Sequence, residues 1–351
     1  MSKEEHRELV RQNLRAIVGS GVQPLKMLIT DPRKYYYMSE VMAPVDLSTT
    51  VKFGVQYSLW GGSVAFMGTA EHHRKWLDDI DSLRLPGCFA MTELGHGSNV
   101  QGLKTEAVLD RARDEWVVNT PDDLAIKWWI GNAAQDGRMS TVFARLLVPD
   151  QRGALVDHGV HALVVPIRDA HGELVPGVEI RDCGYKVGLN GIDNGALRYS
   201  NVRVPRTNLL NKFGSVNSRG EYESSMSPAK RFGATLGALT GGRVGLVASS
   251  LGILKSASTI AVRYGLLRRQ FGPPGASSEV SILDYQTHQR KLMPLVATAY
   301  AVNFARDDLV DMFCEMKRTG DPELVADVHA LSAGLKAWVT SYTALAINTC
   351  R

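Results

Sequence analysis

The sequence predicts an α+β protein built from three successive parts, and two changes of hydrophobic period carry this prediction. Over residues 3–83 apolar side chains recur at spacings of three and four, which is typical of amphipathic helices. From residue 86 the period falls to two, as in half-buried strands, and from residue 229 a sustained helical pattern returns. The predicted domains are an N-terminal helical domain at residues 1–85, a middle β-barrel or sandwich domain at residues 86–210 and an incomplete C-terminal helical bundle at residues 211–351.

Composition narrows the class of protein. The chain has 351 residues, of which 44% are hydrophobic and 22% charged, so it is long enough to bury a large core. Its net charge of +4 comes without a basic tract interleaved with aromatic residues, which suits small anionic ligands better than nucleic acid. The apolar runs are interrupted well short of the roughly 18 residues that span a bilayer. We therefore expect no nucleic-acid partner, no transmembrane helix and no membrane partner.

Cysteine spacing and the N-terminus bear on compartment and metal binding. The four cysteines form no C-x-x-C pair, which argues against a zinc site and against a disulfide scaffold, and is consistent with a reducing compartment. We therefore predict no metal. The first residues are charged and lack the apolar segment of a secretory signal, and no targeting signal is visible.

In the N-terminal part, the first helix is predicted from residue 3 and ends at the glycines Gly19 and Gly21. Further helices are predicted at residues 25–29 and 48–67. The adjacent His72 and His73 suggest a metal pair, but neighbouring residues on a helix point about 100° apart, whereas chelating pairs need i,i+4 spacing. We interpret both histidines as solvated surface.

In the middle part, strands are predicted between clusters of glycine, proline, aspartate and asparagine. The predicted strands are residues 88–91, 105–109, 115–119, 127–130, 141–148, 161–167, 178–182 and 196–204. Several short strands in succession are typical of a small sandwich or barrel. Residues 211–228 contain few apolar side chains and are interpreted as a long loop that marks the domain boundary.

The C-terminal part is predicted to contain three long helices, at residues 229–264, at residues 282–318 and from Asp321 onward, where Pro322 occupies the first turn. Three antiparallel helices make most of a four-helix bundle. The third helix is still running at Arg351 without a glycine cap, so we expect the sequence to end inside an element.

A glycine-rich loop follows the first predicted strand, in the run CFAMTELGHGSNVQGLKTEA at residues 88–107. Gly95, Gly97 and Ser98 can bring backbone N–H groups close to an anionic or carbonyl ligand, although a loop of this kind is often an ordinary turn. Three further motifs accompany it: KWWIG at residues 127–131, GGR at residues 241–243 and RRQFG at residues 268–272.

Together these motifs resemble the flavin and acyl-CoA framework of the acyl-CoA dehydrogenase and oxidase superfamily. The resemblance is closest to the peroxisomal acyl-CoA oxidases, because GHGSNVQG and KWWIG stand where dehydrogenases more usually read GAGSD and MWITN. It extends over most of the chain and implies an acyl-CoA dehydrogenase-like fold. It also implies a homodimeric FAD enzyme of peroxisomal fatty acid β-oxidation, which converts acyl-CoA and O2 to trans-2-enoyl-CoA and hydrogen peroxide.

The resemblance assigns flavin contacts to five residues. Thr92 would bond the isoalloxazine edge, Gly131 would offer a backbone contact beside it, and Trp129 would pack near the ring. Arg268 would reach the pyrophosphate across a subunit interface, which implies a homodimer, and Gln286 would add a further flavin contact. Without the motif, Arg268 near a helix C-terminus also suits dipole compensation.

The tryptophan pair has a plainer alternative, since one of two adjacent strand residues faces inward in any case, so that core packing explains either Trp128 or Trp129. On the substrate side, the resemblance points to Ser98 near the thioester or pantetheine and to Arg243 on the acyl-CoA side. His96 is interpreted as a loop residue, and Glu93 is not nominated as the catalytic carboxylate.

The implied chemistry removes an α-proton with a carboxylate while the β-hydrogen moves as hydride to the flavin. In most relatives that base is a Glu directly after a Cys-Arg pair, and here the sequence ends at Cys350 and Arg351. The alternative position of a minority of relatives is Gly242. We therefore name no catalytic residue, expect the Glu beyond Arg351, and expect little oxidase activity from residues 1–351 alone.

Two other functions stay open at this point. One is an acyl-CoA dehydrogenase that passes its electrons to a flavoprotein. The other is a chain that binds acyl-CoA and FAD without catalysis.

Overall fold

A computed structural model describes residues 1–275 and 277–351, with all side chains of these residues except those of residues 236 and 238. The chain groups into two compact units. The first unit comprises Met1–Thr30 and Val51–Leu239, and the second comprises Asp31–Thr50 and Thr240–Arg351. The division into three domains at residues 1–85, 86–210 and 211–351 stays a prediction.

The N-terminal part is helical up to Asp81, as predicted. Its elements are α1 (Lys3–Gly19), α2 (Pro24–Thr30), α3 (Pro32–Met42), α4 (Leu47–Phe53), a π-helical segment (Gly54–Gly61), α5 (Gly62–Met67) and α6 (Ala70–Asp81). A capping box between Ser2 and Glu5 begins α1 and satisfies backbone donors of its first turn. Val10 and Leu14 are buried on its apolar face, at the spacing that predicted the helix.

The helix predicted at residues 48–67 changes its hydrogen-bonding pattern over Gly54–Gly61. There Gln56 and Trp60 both donate to the Leu85 carbonyl, at 3.2 and 3.1 Å. The Trp60 indole packs directly against the backbone of Gly87, because a Cβ on Gly87 would come within 2.6 Å of the indole. This π-helical segment therefore packs directly against the first strand.

The interpretation of His72 as solvated surface is wrong. His72 is buried, its Nδ1 accepts from the Thr69 backbone N–H at 3.0 Å, and its Nε2 donates to the Leu209 carbonyl at 2.9 Å. The ring therefore closes the first turn of α6 and ties it to a distant segment, because both nitrogens find backbone partners.

The middle of the chain forms two sheets and a small hairpin. The strands are β1 (Gly87–Ala90), β2 (Glu106–Asp110), β3 (Glu115–Asn119), β4 (Lys127–Ile130), β5 (Met139–Pro149), β6 (Leu155–Pro166), β7 (Val178–Asp182), β8 (Gly195–Tyr199), β9 (Val202–Pro205), β10 (Ser215–Val216) and β11 (Tyr222–Glu223). The larger sheet has the order β1-β5-β2-β3-β9, with β6 also paired to β5, and the smaller has the order β4-β8-β7.

Strand β5 is the axis of the larger sheet. It pairs in parallel with β1 at one end and with β2 at the other, and it pairs antiparallel with β6 along most of its length. Side chains of both sheets form one buried core, which includes Trp116 of β3, Val142 of β5 and Leu197 of β8. The predicted strand at residues 196–204 is two strands, β8 and β9, and the hairpin of β10 and β11 lies in the segment interpreted as a loop.

The C-terminal part consists of long helices, as predicted: α7 (Pro228–Leu267), α8 (Gln286–Thr319) and α9 (Pro322–Cys350). Asp321 caps α9 and Pro322 opens it. In the second unit an apolar cluster joins α7, α8 and α9 through Leu254, Leu292 and Ala346.

One helix of the described residues, α7, is long and apolar enough to cross a membrane on length and composition alone. The core helix of a soluble bundle passes the same test, and α7 buries Leu254 in the helical cluster.

Candidate functional site

The end of β1 lies beside the start of β4, and the two segments are joined by reciprocal hydrogen bonds. The Trp128 N–H donates to the Thr92 carbonyl at 3.0 Å, and the Thr92 hydroxyl donates to the Trp128 carbonyl at 2.9 Å. We call Thr92, Trp128, Trp129 and Gly131 the rim. The structure therefore brings together three of the residues predicted to contact a flavin, namely Thr92, Trp129 and Gly131.

Both tryptophans of the rim face solvent, with Trp128 41% and Trp129 53% exposed. The expectation that one of them would face inward is wrong, because β4 is irregular between Lys127 and Ile130, where its register with β8 shifts. Trp129 has a φ of +65°, in the left-handed region, and this bulge breaks the alternation of the strand. Two adjacent exposed indoles beside a polar hydroxyl suit a flat, largely apolar ligand with polar edges.

Gly131 stands where a side chain has no room. A Cβ at this position would come within 2.9 Å of Val55 Cγ2. The backbone of the rim therefore lies in close contact with the π-helical segment, and Gly131 can offer a ligand only main-chain atoms.

A buried ion pair supports the rim from behind. The ammonium of Lys127 lies 3.1 Å from Glu93 Oε1 and also donates to the carbonyls of Met91 and Phe143, at 3.0 and 2.7 Å. Glu93 accepts further bonds from the backbone and hydroxyl of Thr105. All donors of Lys127 thus have partners, and the pair ties the residues that flank Thr92 to the residue before Trp128.

Burial lowers the pKa of Lys127 to about 8, against the attraction of Glu93. Burial also opposes ionisation of Glu93, but the Lys127 charge and the bonds from Thr105 lower the pKa of Glu93 overall. At neutral pH the pair is ionised. Its carboxylate is committed to these partners, which agrees with leaving Glu93 out of the catalytic candidates.

The glycine-rich loop begins at the rim. Ser98 is exposed in this loop. His96 is half-buried, with Nδ1 3.4 Å from Glu93 Oε2, and its backbone pairs with that of Glu93. His96 therefore helps to fold the loop, in line with its interpretation as a loop residue, whereas the Ser98 hydroxyl is open to solvent.

The remaining candidates lie in the second unit. Arg268 directly follows α7 and is exposed, with Nη2 donating to Gln270 Oε1 at 3.1 Å. Gln286 opens α8 and is exposed. The Tyr285 hydroxyl donates to the Gln270 carbonyl at 2.8 Å, so the segments after α7 and before α8 are tied together. Arg243 lies on α7, and its Nη1 is 3.2 Å from His329 Nδ1.

Sequence reasoning missed the residues that hold the rim in place. The KWWIG motif contains Lys127 without indicating its role, and none of the motifs contains Lys186 or Asn194. Asn194 Nδ2 donates to the Trp129 carbonyl at 3.1 Å, and Lys186 Nζ donates to Asn194 Oδ1 at 2.6 Å. The polar residues at 190–194 are typical of a turn, but no local pattern indicates that Asn194 bonds to Trp129.

The helical N-terminal part, the curled middle sheets with their exposed rim and the long C-terminal helices define an acyl-CoA dehydrogenase/oxidase-like fold. A family model for the acyl-CoA dehydrogenase middle domain matches residues 88–202, and one for the acyl-CoA oxidase C-alpha1 domain matches residues 236–351. The chain belongs to the acyl-CoA oxidase family.

Among its relatives, the chain is 58% identical to "Acyl-coenzyme A oxidase 2, peroxisomal" of Arabidopsis thaliana, over 100% of this chain and 51% of that protein. It is 41% identical to "Acyl-coenzyme A oxidase 3, peroxisomal" of the same plant, over 99% of this chain and 51% of that protein. The chain thus spans about half the length of the curated relatives it matches.

Among solved structures, acyl-CoA oxidase1 of Yarrowia lipolytica aligns with a TM-score of 0.87 and 34% identity, over 100% of this chain and 52% of that one. Acyl-CoA oxidase-1 of Caenorhabditis elegans, complexed with FAD and ATP, aligns with a TM-score of 0.84 and 30% identity, over 100% and 50% of the two chains.

Proposed function

We propose that this chain belongs to an FAD-dependent, peroxisomal acyl-CoA oxidase that converts acyl-CoA and O2 to trans-2-enoyl-CoA and hydrogen peroxide in fatty acid β-oxidation. The observation that carries the proposal is the rim, in which Trp128 and Trp129 stand exposed beside the Thr92 hydroxyl. The two adjacent indoles form one exposed apolar surface, and a flat, largely apolar ligand would cover it. The names of the relatives support the same reaction and compartment.

The residues present fit FAD. In this proposal Thr92 and the backbone of Gly131 would meet the polar edge of the isoalloxazine, and the Trp129 indole would pack near its ring. The Thr92 proton is engaged by the Trp128 carbonyl, so its oxygen lone pairs stay open to a ligand donor. When bound, the flavin supplies the hydride acceptor and passes the electrons to O2.

For the second unit we propose that Arg268 holds the flavin pyrophosphate of a partner subunit, and that Gln286 adds a flavin contact. A guanidinium suits a pyrophosphate because its planar fork can bind two oxygens at once. Among the described residues, the exposed Arg268 side chain donates to the neutral amide of Gln270, which leaves its charge for an anion. This role makes the working form a homodimer.

For the substrate we propose that the Ser98 hydroxyl meets the thioester or pantetheine side of acyl-CoA and that Arg243 contributes to acyl-CoA binding. Both are weakly committed in this structure, Ser98 to solvent and Arg243 to the His329 ring. The carboxylate behind the rim, that of Glu93, is held by Lys127 and Thr105 and takes no part in proton removal in this proposal.

Flavin titration tests the proposal directly. We expect the purified chain to bind added FAD, with the flavin fluorescence quenched by Trp129, and the Trp129→Ala variant to bind it at least about tenfold more weakly, or about 1.4 kcal/mol. Trp338→Ala is the matched control, because Trp338 is 51% exposed on α9 of the second unit. A chain that shows no flavin absorbance after incubation with FAD and removal of excess contradicts the proposal.

Turnover separates the oxidase from the alternatives. Peroxide release from acyl-CoA identifies an oxidase, reduction of an added electron-transfer flavoprotein without peroxide identifies a dehydrogenase, and binding without either identifies a non-catalytic protein.

A further inference from the structure

Trp129 is held in a conformation that its side chain does not favour. A bulky residue with φ of +65° is strained, and such a conformation persists only when the surroundings over-determine it. The same conformation is what turns the indole outward beside Trp128. The residues that hold the backbone of Trp129 therefore decide whether the rim exists in the free protein.

The contacts that fix Trp129 come from the segment between β7 and β8. Asn194 Nδ2 donates to the Trp129 carbonyl at 3.1 Å. Lys186 Nζ donates to Asn194 Oδ1 at 2.6 Å and to the Ile192 carbonyl at 2.7 Å. Because the ammonium can only donate, it sets the orientation of the Asn194 amide, with the amino group toward Trp129. Asn194 is 8% exposed, so water does not compete freely for these bonds.

Two further contacts tighten the same cluster. The Lys186 ammonium lies 5.9 Å from the centroid of the Trp129 ring, on the face of the indole. The Cys183 N–H also donates to the Asn194 carbonyl at 3.0 Å, which fixes the backbone beside the Asn194 amide. Trp129 is thus held through both its backbone and its ring.

We propose that Asn194, oriented by Lys186, is a positioning residue that keeps Trp129 in the left-handed conformation and so prepares the indole for the flavin. The proposal rests on the proposed flavin site. Without the Asn194 donor, the Trp129 backbone relaxes toward an extended conformation in part of the molecules. FAD then binds only to the fraction that keeps the indole outward, and its apparent affinity falls by that fraction.

A matched pair of variants tests this role. Asn208 has the same kind of contacts elsewhere in the first unit: it is 4% exposed, its Nδ2 donates to the Val164 carbonyl at 2.7 Å, and its Oδ1 accepts from Lys75 at 3.4 Å. Asn194→Ala and Asn208→Ala therefore remove comparable hydrogen bonds. Only the first removes a bond to Trp129.

The first readout needs no flavin. In protein labelled with 5-fluorotryptophan, the ¹⁹F resonance of Trp129 is assigned by its loss in Trp129→Phe. We expect Asn194→Ala to shift, split or broaden this resonance, and Asn208→Ala to leave it unchanged. The second readout is the FAD dissociation constant, which we expect to rise about tenfold in Asn194→Ala if the competent fraction falls to a tenth, and to stay within about twofold in Asn208→Ala.

The outcomes decide the question in each case. An unchanged Trp129 resonance in folded Asn194→Ala overturns the positioning role, and so does an equal loss of FAD affinity in both asparagine variants. If the wild-type chain takes up no FAD, the flavin proposal fails, while the resonance still decides whether Asn194 positions Trp129. If Asn194→Ala does not fold, Asn194→Asp replaces it, because it keeps an oxygen for Lys186 and removes the donor to Trp129.

Discussion

The rim in the first unit and the candidate residues in the second unit are built in different ways. The rim rests on groups with several partners each: the buried Lys127 binds three acceptors, and Asn194 bonds both Trp129 and Lys186. In the second unit, Arg268 is exposed and bound to one neutral side chain, and Gln286 is exposed at the start of α8. The rim is held by several hydrogen bonds, whereas the candidate side chains of the second unit are exposed.

This difference indicates how the two regions contribute to binding. A preorganised surface loses little conformational entropy when the ligand binds. Removing the contacts that hold it lowers the free energy of unfolding as well as the ligand affinity. An exposed arginine contributes through charge, and its loss is felt in affinity alone. Substitutions in the two regions should therefore separate stability from flavin binding.

The largest effect is expected at the buried ion pair. Lys127→Met leaves the Glu93 carboxylate buried without its cation, which costs about 3–5 kcal/mol in the free energy of unfolding. Urea denaturation measures this loss. Lys104→Met is the control, since Lys104 pairs with the exposed Asp122 at 2.9 Å and should cost no more than about 1 kcal/mol. Equal losses in the two variants would remove the distinction between the regions.

A second large effect concerns pH and a histidine in the interior of the first unit. His161 is 5% exposed, its Nδ1 donates to the Gly159 carbonyl at 3.0 Å, and its Nε2 accepts from the Tyr222 hydroxyl at 3.0 Å. Burial lowers the pKa of His161 to about 4, against the bond to Gly159. The unfolded chain, with a pKa near 6.5, takes up the proton first, so stability is present above pH 6.5 and is lost as the pH falls toward 4.

The full loss corresponds to about 3 kcal/mol, from roughly 1.4 kcal/mol for each pKa unit. We expect the difference in unfolding free energy between wild type and His161→Gln to shrink by that amount between pH 6.5 and pH 4. Urea titrations across this range measure it, with the exposed His171→Gln as control. A difference that does not depend on pH would mean that His161 titrates normally.

A smaller effect, on affinity alone, is expected at Arg268. Arg268→Ala should leave the unfolding free energy within about 0.5 kcal/mol and raise the FAD dissociation constant about tenfold, because it removes a charge-assisted contact to the pyrophosphate. The neighbouring Arg269→Ala, whose Nη1 donates to the Glu279 carbonyl at 3.1 Å, is the control.

The proposed role of Arg268 across subunits also predicts a homodimer. Light scattering should give about twice the 38.4 kDa chain mass. A monomer that binds FAD tightly would exclude the role across subunits.

The smallest effect is expected at Ser98. Ser98→Ala should leave FAD affinity unchanged and weaken acyl-CoA binding by about 1 kcal/mol, the contribution of one hydrogen bond. Perturbation of the spectrum of the bound flavin by added acyl-CoA measures this. An unchanged acyl-CoA affinity would mean that Ser98 is a turn residue without a role in substrate binding.

Much of the fold could be predicted because its periods are local. Strands β3, β4 and β7 begin and end at the predicted residues, and the aspartate and proline at the start of α9 predict its beginning. The hairpin of β10 and β11 was missed because strands of two residues show no period, and its turn is made by Gly220 with φ of +75°. The alternation of inward and outward side chains did not predict the orientation of Trp129, because the bulge in β4 depends on pairing with β8.

The site was predictable only where its residues belong to one motif. Thr92, Trp129 and Gly131 were named from the resemblance, and the structure places them together. The support of the rim was not predictable, because Asn194 and Trp129 meet across the smaller sheet with no local signal for the contact. The burial of His72 was missed for the same reason, since its partner Leu209 lies far along the chain.

The close contact of Gly131 with Val55 has a consequence for sequence variation. The two positions share one small volume, because a Cβ on residue 131 would lie 2.9 Å from the valine methyl group. A side chain with a hydroxyl at position 131, such as the threonine of the MWITN wording, therefore needs a smaller residue at position 55. The residue at position 55 in the π-helical segment thus limits which side chain the rim can carry at position 131. Substitutions at the two positions should therefore occur together.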